Sequence, residues 1–208
     1  MGFTGNTADD RAILGKLIIR LGLPVSVLSL VLAHAEAVRS ATQRLGLVSH
    51  GDLGQVVSRH TADSLLFALA RTPAHGERWL DLGSGAGFPG LVLACAYPES
   101  AFTLLEPLKK RAGFLEVTAL ELGLGNVVVR NERLADLEHQ DFDVAVSRAL
   151  EDPAETRVAM VDVVREGGEV LVAIGPSEAP EPPARLVALD GVGFVDSPGR
   201  FSMMTRGG

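Results

Sequence analysis

Residues 81–90 read DLGSGAGFPG and lie between two apolar segments of different length. The segment that leads into this stretch, 78–82, has the short apolar pattern of a buried strand. The segment that leads out of it, 88–97, has the length of a helix. Glycines in a turn of this kind permit positive φ angles and let a ligand approach the backbone where a Cβ would block it. The stretch therefore predicts a strand, a ligand-binding turn and a helix.

The rest of the chain after residue 76 continues to alternate between short apolar runs and helical segments. The predicted strands are 78–82, 102–105, 127–130, 142–146 and 168–174, with 185–189 and 201–206 as a closing pair; the predicted helices are 88–97, 108–123 and 154–165. This alternation implies a parallel sheet with helices on both faces, which is an α/β fold. Before residue 76 the sequence is helical, with helices at 25–45 and 58–70. We therefore predict an N-terminal helical extension (1–75) and a ligand-binding domain (76–208) that form one compact unit.

Composition excludes several classes of protein. The 208 residues, 47% hydrophobic and 22% charged, suit one domain with an extension and exclude wholesale disorder. The single cysteine, Cys95, excludes an internal disulfide and a cysteine-based zinc site. No run approaches the about 20 apolar residues of a membrane helix, and the first residues lack a signal pattern, so we expect a cytoplasmic protein without membrane contact. A net charge of −7 argues against coating nucleic acid by bulk electrostatics.

Two carboxylates near the glycine turn indicate the kind of cofactor. Glu106 ends the second predicted strand, where a carboxylate can accept the hydroxyls of a ribose. Gly85, Gly87 and Gly90 also match the dinucleotide fingerprint, but a dinucleotide would bring its pyrophosphate anion close to Asp81. S-adenosylmethionine carries a sulfonium and an ammonium instead and has no phosphate, so a negative turn suits it better. A nicotinamide dinucleotide and a turn without any ligand remain the alternatives. The predicted cofactor contacts in this pattern are Asp81, Ser84, Gly85, Gly87 and Glu106.

Several longer motifs resemble those of the RsmG (GidB) methyltransferases, which modify N7 of a guanine in bacterial small-subunit ribosomal RNA. The resemblance covers about residues 55–175, and its most specific parts are the FPG of 88–90 and the SRA of 147–149. It implies a class I, Rossmann-like methyltransferase fold with a mostly parallel seven-stranded sheet. The matching stretches are GSGAGFPG (83–90), LLEPLKKR (104–111), ELGL (121–124), SRA (147–149) and, upstream, Arg59-His60 with Asp63-Ser64.

The resemblance also assigns residues and partners. It implies that Gly83, Phe88 and Arg148 contact the cofactor. It also implies that Glu106 holds the ribose and that the Leu134 and Ala135 backbone lies near the adenine. S-adenosylhomocysteine is the implied product, and small-subunit ribosomal RNA or the ribosomal subunit is the implied partner. The chain departs from the family at Ile174, where the family has a lysine, and it lacks the Asn-Leu-Thr stretch that precedes the Arg-His pair.

Methylation at N7 needs no general base, because the nucleophile is a lone pair without a proton to remove. Catalysis then depends on aligning that lone pair with the methyl group, so we assign no catalytic residue and keep Arg148 and His60 as candidates. Arg148 could hold the cofactor carboxylate or an RNA phosphate, and a structural ion pair is the alternative. His60 is equally interpreted as a hydrogen-bonded packing residue.

Four basic residues are candidates for contacts with RNA phosphates, although a solvated helix face would look the same in sequence. They are Arg59, Lys109, Lys110 and Arg111. A second acidic group, Asp136, Glu138, Asp141 and Asp143, lacks metal-ligand spacing, and we predict a surface loop there and no metal site. Trp79 is expected in the core.

We therefore predict an S-adenosylmethionine-dependent methyltransferase, expected to be a monomer, that acts on N7 of a guanine in 16S ribosomal RNA. One alternative is a methyltransferase with a small metabolite as its substrate, which the acidic balance and Ile174 favour. A second alternative is a non-catalytic module that binds the cofactor or RNA. A basic rim around the pocket would favour RNA, and a closed apolar pocket would favour a metabolite.

Overall fold

A computed structural model of the chain describes residues 8–137, 141–148, 152–189, 192 and 199–207. The α-helices and strands are α1 (Ala8–Arg20), α2 (Ser26–Leu45), α3 (Ala62–Ala70), β1 (Arg78–Leu82), α4 (Gly90–Ala96), β2 (Ala101–Leu105), α5 (Lys109–Glu121), β3 (Val127–Arg130), β4 (Phe142–Ser147), α6 (Pro153–Val161), β5 (Val164–Ala173), β6 (Arg185–Ala188) and β7 (Arg200–Thr205). Short 3₁₀ helices occupy His50–Gln55 and Leu134–Asp136, and Val56–Thr61 is π-helical. No helix in these residues is long and apolar enough to cross a bilayer.

The strands form one sheet in the order β3-β2-β1-β4-β5-β7-β6. Neighbours among β1 to β5 are parallel, and β7 is antiparallel to both β5 and β6. The predicted α/β fold with a mostly parallel, seven-stranded sheet is confirmed. The direction of strand succession reverses between β1 and β4, and in open α/β sheets ligands bind beyond the carboxyl ends of the strands at such a point. The predicted turn follows β1, so it lies at this position.

The structure differs from the prediction around β5. The helix predicted at 154–165 ends at Val161, and β5 starts at Val164, four residues before the predicted strand. The reason is that Val164 pairs with Phe142 of β4 ahead of an irregularity in the register. A Cβ on Gly168 would lie 2.8 Å from the Arg165 carbonyl, so a glycine is needed at this irregularity. In the sequence, the glycines at 167 and 168 resemble a break between a helix and a strand, although both lie within β5.

The acidic stretch predicted as a surface loop is partly a strand. Asp143 lies within β4, and its carboxylate accepts hydrogen bonds from the Arg78 backbone N–H (2.8 Å) and from Arg165 Nε (2.6 Å). These contacts join β4 to its neighbours β1 and β5. Glu138 lies outside the described residues.

The helical extension shares an apolar core with the sheet. Leu14 of α1, Val31 of α2 and Leu65 of α3 are fully buried in the same apolar cluster as Leu91 of α4 and Phe201 of β7. The predicted helix 25–45 is confirmed, and it ends as expected at Gly46, whose φ is 60° and whose N–H donates to the Thr42 carbonyl. Trp79 is fully buried, as predicted.

Candidate active site

The glycine turn between β1 and α4 depends on glycine at four positions. Gly83, Gly85 and Gly87 have φ values of 71°, 55° and 89°, where side chains other than glycine are strained. Gly90 has an ordinary φ, but a Cβ there would clash with Leu104 Cδ2 and lie 2.6 Å from Asp81 Oδ2. Glycine is therefore required at position 90 by close packing, and not by its backbone conformation.

Asp81 stabilises the turn through hydrogen bonds of its side chain and its carbonyl group. Its Oδ2 accepts a hydrogen bond of 2.9 Å from the Gly90 N–H, which is one of the free donors at the start of α4. Ser84 Oγ donates to the Asp81 carbonyl at 3.0 Å. The Asp81 side chain is 1% exposed, and burial raises the pKa of its carboxyl to about 6. Asp81 does not line the adjacent cavity, so its predicted contact with the cofactor stays a prediction.

Glu106 follows β2 and lies across from the turn. Its Oε2 accepts a hydrogen bond from the Gly85 N–H (2.9 Å), and its Oε1 accepts one from the Leu108 N–H (2.8 Å). Asn131 fixes the backbone here, because its Nδ2 donates to the Glu106 carbonyl at 2.9 Å. Each carboxylate oxygen keeps a further lone pair, so Glu106 is oriented yet still able to accept two hydroxyl groups.

A cavity of about 360 Å³ lies between the turn and the N-terminal extension, and we name it the turn cavity. Its size is at the lower end of the range for small-molecule sites. The segment after α2 forms one wall, and Arg111 Nη2 joins this wall to α5 by donating to the Gly46 carbonyl at 3.0 Å. The lining residues are Leu47, Val48, Asp52, His60, Gly83, Ser84, Gly85, Ala86, Phe88, Glu106, Pro107, Leu108, Arg111 and Arg148.

Phe88 is the centre of a cluster at the inner end of this cavity. The His60 ring stacks on Phe88 with centroids 5.4 Å apart, and the Arg148 guanidinium carbon lies 5.3 Å from the Phe88 centroid. Arg148 Nη2 is 2.8 Å from His60 Nδ1, and Arg148 Nη1 is 3.7 Å from Asp63 Oδ2. Arg148 and His60, 88 residues apart in the sequence, thus meet at one aromatic ring.

The protonation of His60 follows from this arrangement. Burial, and then the neighbouring Arg148 cation, lower the pKa of His60 to about 4. The ring is therefore neutral near pH 7, and Nδ1 accepts the hydrogen bond from the Arg148 guanidinium. His60 acts on Arg148, holding its position, and Nδ1 is not available to take a proton from a substrate.

His34 of α2 is a site residue that the sequence analysis missed. Its Nε2 is 2.8 Å from the Ala86 carbonyl, and its ring packs edge-on against Phe88 at 4.9 Å. The side chain is fully buried, and burial lowers its pKa to about 4, so the neutral ring donates from Nε2 to Ala86. The available signal was its place beside the apolar stripe of α2, between Val31 and Val38.

The structure does not bring all predicted residues to the turn cavity. Gly87 packs away from it, since a Cβ there would lie 2.7 Å from Leu91 Cδ1 and 2.9 Å from His34 Nε2. Leu134 and Ala135 form a 3₁₀ turn after β3 and do not line the cavity, and Leu134 packs instead against a second apolar cluster. These contacts stay predictions.

The predicted basic residues are spread around the site. Lys109 and Lys110 are exposed in the first turn of α5, next to the lining residue Leu108, whereas Arg111 reaches the cavity wall. Arg59 is exposed and pairs with Asp52 at 2.9 Å. Arg148 is only partly exposed and is bonded to His60, so it is not one of the exposed cations around the site.

Comparison with known proteins relates these features to a family. Residues 28–185 match the family model described as rRNA small subunit methyltransferase G (GidB). The proteins of that name from Mycolicibacterium smegmatis and Chlorobaculum tepidum are 36% and 30% identical to this chain, over 79% and 81% of it and 70% and 79% of their own lengths. Among solved structures, a SAM-dependent O-methyltransferase from Thermotoga maritima superposes with a TM-score of 0.56 at 17% identity, covering 69% of this chain and 64% of that one. This structural likeness concerns the fold alone.

Proposed function

Because this chain belongs to the rRNA small subunit methyltransferase G (GidB) family, we propose that it methylates N7 of a guanine in small-subunit (16S) ribosomal RNA, with S-adenosylmethionine as the methyl donor. The observation that carries the proposal is the meeting of Glu106, the glycine turn and the Phe88–Arg148–His60 cluster around one cavity. We propose accordingly that the protein acts in the cytoplasm, on ribosomal subunits or their RNA.

The residues of the turn cavity fit S-adenosylmethionine. Glu106 presents two oriented carboxylate oxygens for the ribose hydroxyls. Gly85 leaves room at the turn, because a Cβ there would meet only the Gly83 carbonyl, at 3.7 Å. Leu108 and Val48 provide apolar surface for a purine. Arg148, whose guanidinium lies over the Phe88 ring of the turn, suits the carboxylate of the methionine part of the cofactor.

The chain's own residues position the reactants rather than exchange protons. When bound, the cofactor supplies a methyl group on a sulfonium: the C–S electron pair stays on sulfur, the N7 lone pair forms the C–N bond, and no proton leaves. His60 and Asp63 hold the Arg148 guanidinium from two sides. The fixed cluster around Phe88 keeps the inner end of the turn cavity rigid, which is what alignment of two reactants requires.

The N-terminus of α5 supports a polyanionic partner. Its first turn carries Lys109, Lys110 and Arg111 and no acidic residue. Cations at this end of a helix oppose the helix dipole, so they are better explained by an external anion than by helix stability. RNA phosphates beside the mouth of the turn cavity meet this requirement, whereas a small metabolite would not reach the two exposed lysines.

The test is methyl transfer to the proposed substrate. Small ribosomal subunits from cells lacking this protein are incubated with it and with S-adenosylmethionine labelled in the methyl group, and the labelled base is mapped. We expect label at a single guanine N7. Glu106→Ala should abolish labelling, and Glu116→Ala, on the exposed face of α5, should retain it. Tight binding of S-adenosylhomocysteine without RNA labelling would contradict the proposal and lead to a metabolite screen.

A further inference from the structure

Two carboxylates are among the described residues that line the turn cavity, Glu106 and Asp52. Glu106 follows β2 and is the carboxylate that suits the ribose. Asp52 comes from the helical extension, in the 3₁₀ helix His50–Gln55, and its side chain is 23% exposed. Asp81 is almost fully buried and does not line the cavity. Asp52 is therefore the lining carboxylate that remains for a cationic part of a ligand.

Asp52 is held in place and keeps acceptor positions free. Its Oδ2 accepts a hydrogen bond from Ser49 Oγ (2.7 Å), and its Oδ1 accepts one from Arg59 Nη1 (2.9 Å). The Ser49 hydrogen bond holds the pKa of the Asp52 carboxyl below its ordinary value, so the group is ionised near neutral pH. An ionised carboxylate has about four acceptor positions, and these two contacts leave the others free. Asp52 thus offers an oriented negative charge to a ligand in the turn cavity.

The His60 ring lies between Asp52 and Arg148. Its Nε2 is 3.8 Å from Asp52 Oδ2, and its Nδ1 is 2.8 Å from Arg148 Nη2. Since the two nitrogens of an imidazole point away from each other, the carboxylate and the guanidinium are held apart at two edges of one ring. The ring is neutral, because burial and Arg148 lower the pKa of His60 to about 4, so it compensates neither charge. The wall of the turn cavity therefore presents one negative and one positive group, one imidazole apart.

This pair of charges matches the amino-acid head of S-adenosylmethionine. The head carries an ammonium group and a carboxylate on the same carbon atom, so the partners of both must lie close together. With the carboxylate on Arg148, the ammonium group needs an acceptor nearby, because it has three donors and no acceptor of its own. Asp63 also lies near Arg148, but it does not line the turn cavity. Asp52 is the carboxylate that meets both requirements.

We propose that Asp52 binds the α-ammonium group of S-adenosylmethionine and, together with Arg148, fixes the methionine part of the cofactor in the turn cavity. The inference rests on the proposed function. Each charge of the amino-acid head then meets an opposite charge, and the neutral His60 ring keeps the two partners apart. Because Asp52 and His60 belong to the helical extension, the extension contributes to cofactor binding as well as to the apolar core.

The experiment measures the binding of three ligands by calorimetry. They are S-adenosylhomocysteine, its deamino analogue with hydrogen in place of the α-ammonium group, and its decarboxy analogue with hydrogen in place of the carboxylate. Asp52→Asn keeps the shape of the side chain and removes its charge. Arg59→Gln breaks the ion pair with Asp52 from a side chain that does not line the turn cavity. Asp9→Asn, at an exposed position of α1, is the matched control, and thermal unfolding shows whether each variant is folded.

We expect the wild type to bind the deamino analogue about tenfold or more weakly than S-adenosylhomocysteine, as for loss of a charge-assisted hydrogen bond. In Asp52→Asn this ratio of Kd values should fall several-fold, because the ammonium group has lost its partner in both measurements. The ratio for the decarboxy analogue should stay that of the wild type, since Arg148 is unchanged. Arg59→Gln and Asp9→Asn should keep both ratios.

The inference is overturned if the ratio for the deamino analogue is the same in Asp52→Asn as in the wild type. It is also overturned if both ratios fall together in this variant, which would indicate a general disturbance of the site. An equal effect of Arg59→Gln would assign the recognition to the ion pair and contradict a direct contact of Asp52. A wild type that binds none of the three ligands contradicts the proposed function itself, and this inference with it.

Discussion

Glu106 is a carboxylate whose two oxygens are each fixed by a backbone N–H group. This explains how one side chain can both shape the turn and bind a ligand, since a carboxylate has about four acceptor positions and the protein uses two. Gly90 shows the opposite case: besides the N–H that it donates to Asp81, it contributes the absence of a side chain. Both residues give predictions at the scale of single side chains.

Replacing Glu106 with Gln should weaken cofactor binding without unfolding the protein. The amide keeps the shape but loses the charge and offers one acceptor oxygen in place of two, and a hydrogen bond to a charged group contributes about 1.5–3 kcal/mol. We expect the Kd for S-adenosylhomocysteine, measured by calorimetry, to rise about 10- to 150-fold. The exposed Glu116→Gln on α5 is the control. An unchanged Kd would show that Glu106 serves the turn alone.

A pair of glycine substitutions should have effects of opposite sign. Gly90→Ala forces a Cβ against Leu104 and Asp81, so we expect a loss of about 1–3 kcal/mol in the free energy of unfolding. Gly113→Ala in α5 meets no atom within 4 Å, and the higher helix propensity of alanine should add about 0.5–1 kcal/mol. Urea denaturation measures both variants. Equal effects would mean that the crowding at Gly90 is relieved by movement of α4.

At the scale of elements, α2 contacts the glycine turn, although the two contacting residues, His34 and Ala86, are 52 positions apart in the sequence. His34 donates to the Ala86 carbonyl and packs on Phe88, so the helical extension holds the same turn that Glu106 contacts from the other side. The π-helical turn at Val56–Thr61 has a comparable role for the next part of the extension, because it places His60 over Phe88. The candidate site thus depends on elements outside the sheet domain.

The contact of α2 with the turn predicts how stability changes with pH. The pKa of His34 falls from 6.5 to about 4 on folding, because burial disfavours the charged ring. Between these values the unfolded chain binds more protons, so the stability from neutral His34 is present above pH 6.5 and is lost as the pH falls toward 4. His34→Phe removes this titration but also the hydrogen bond to Ala86.

We therefore expect His34→Phe to be less stable than wild type at pH 7, and the difference to shrink by about 2 kcal/mol at pH 5. Urea denaturation at pH 5, 6 and 7 gives both values. His60 and Asp81 titrate in both proteins, so the comparison isolates His34. The matched control is His75→Phe at an exposed position. A difference that is constant with pH would mean that His34 has the same pKa in the folded and the unfolded protein.

At the scale of the whole molecule, one apolar cluster joins the extension to one face of the sheet. It includes Leu14 and Val31 of the extension together with Trp79 of β1 and Phe201 of β7. A smaller cluster on the opposite face contains Leu80 and Met160 of α6. Because the extension contributes to the larger core, it should not unfold independently of the sheet.

This predicts a single cooperative unfolding transition. Trp79 is the only tryptophan and reports on β1, whereas far-UV circular dichroism is dominated by helices, including α1 and α2. We expect the two signals to give the same midpoint and slope in urea. A circular dichroism transition that precedes the loss of the Trp79 signal would show that the extension is a separate unit, contrary to the predicted compact arrangement.

The sequence by itself determined the strand–turn–helix at residues 78–97, the order of strands and helices, the end of α2 at Gly46 and the presence of Glu106 beside the turn. These features depend on neighbours along the chain: hydrophobic periodicity, glycines that permit positive φ, and the length of each run. Near Gly168 the predicted boundary between helix and strand was wrong, because a glycine pair has the same local signature in a bulge and in a break between elements.

Only the tertiary structure decided which side chains meet. His34 lies 52 residues from Ala86, and His60 lies 88 residues from Arg148, so no local pattern links them. The cavity lined by Phe67, Ala173 and Arg200 likewise arises where α3, β5 and β7 converge. Their physical reason is burial: packing brings distant polar groups together and forces each to find a partner, and which partner it finds depends on the whole fold.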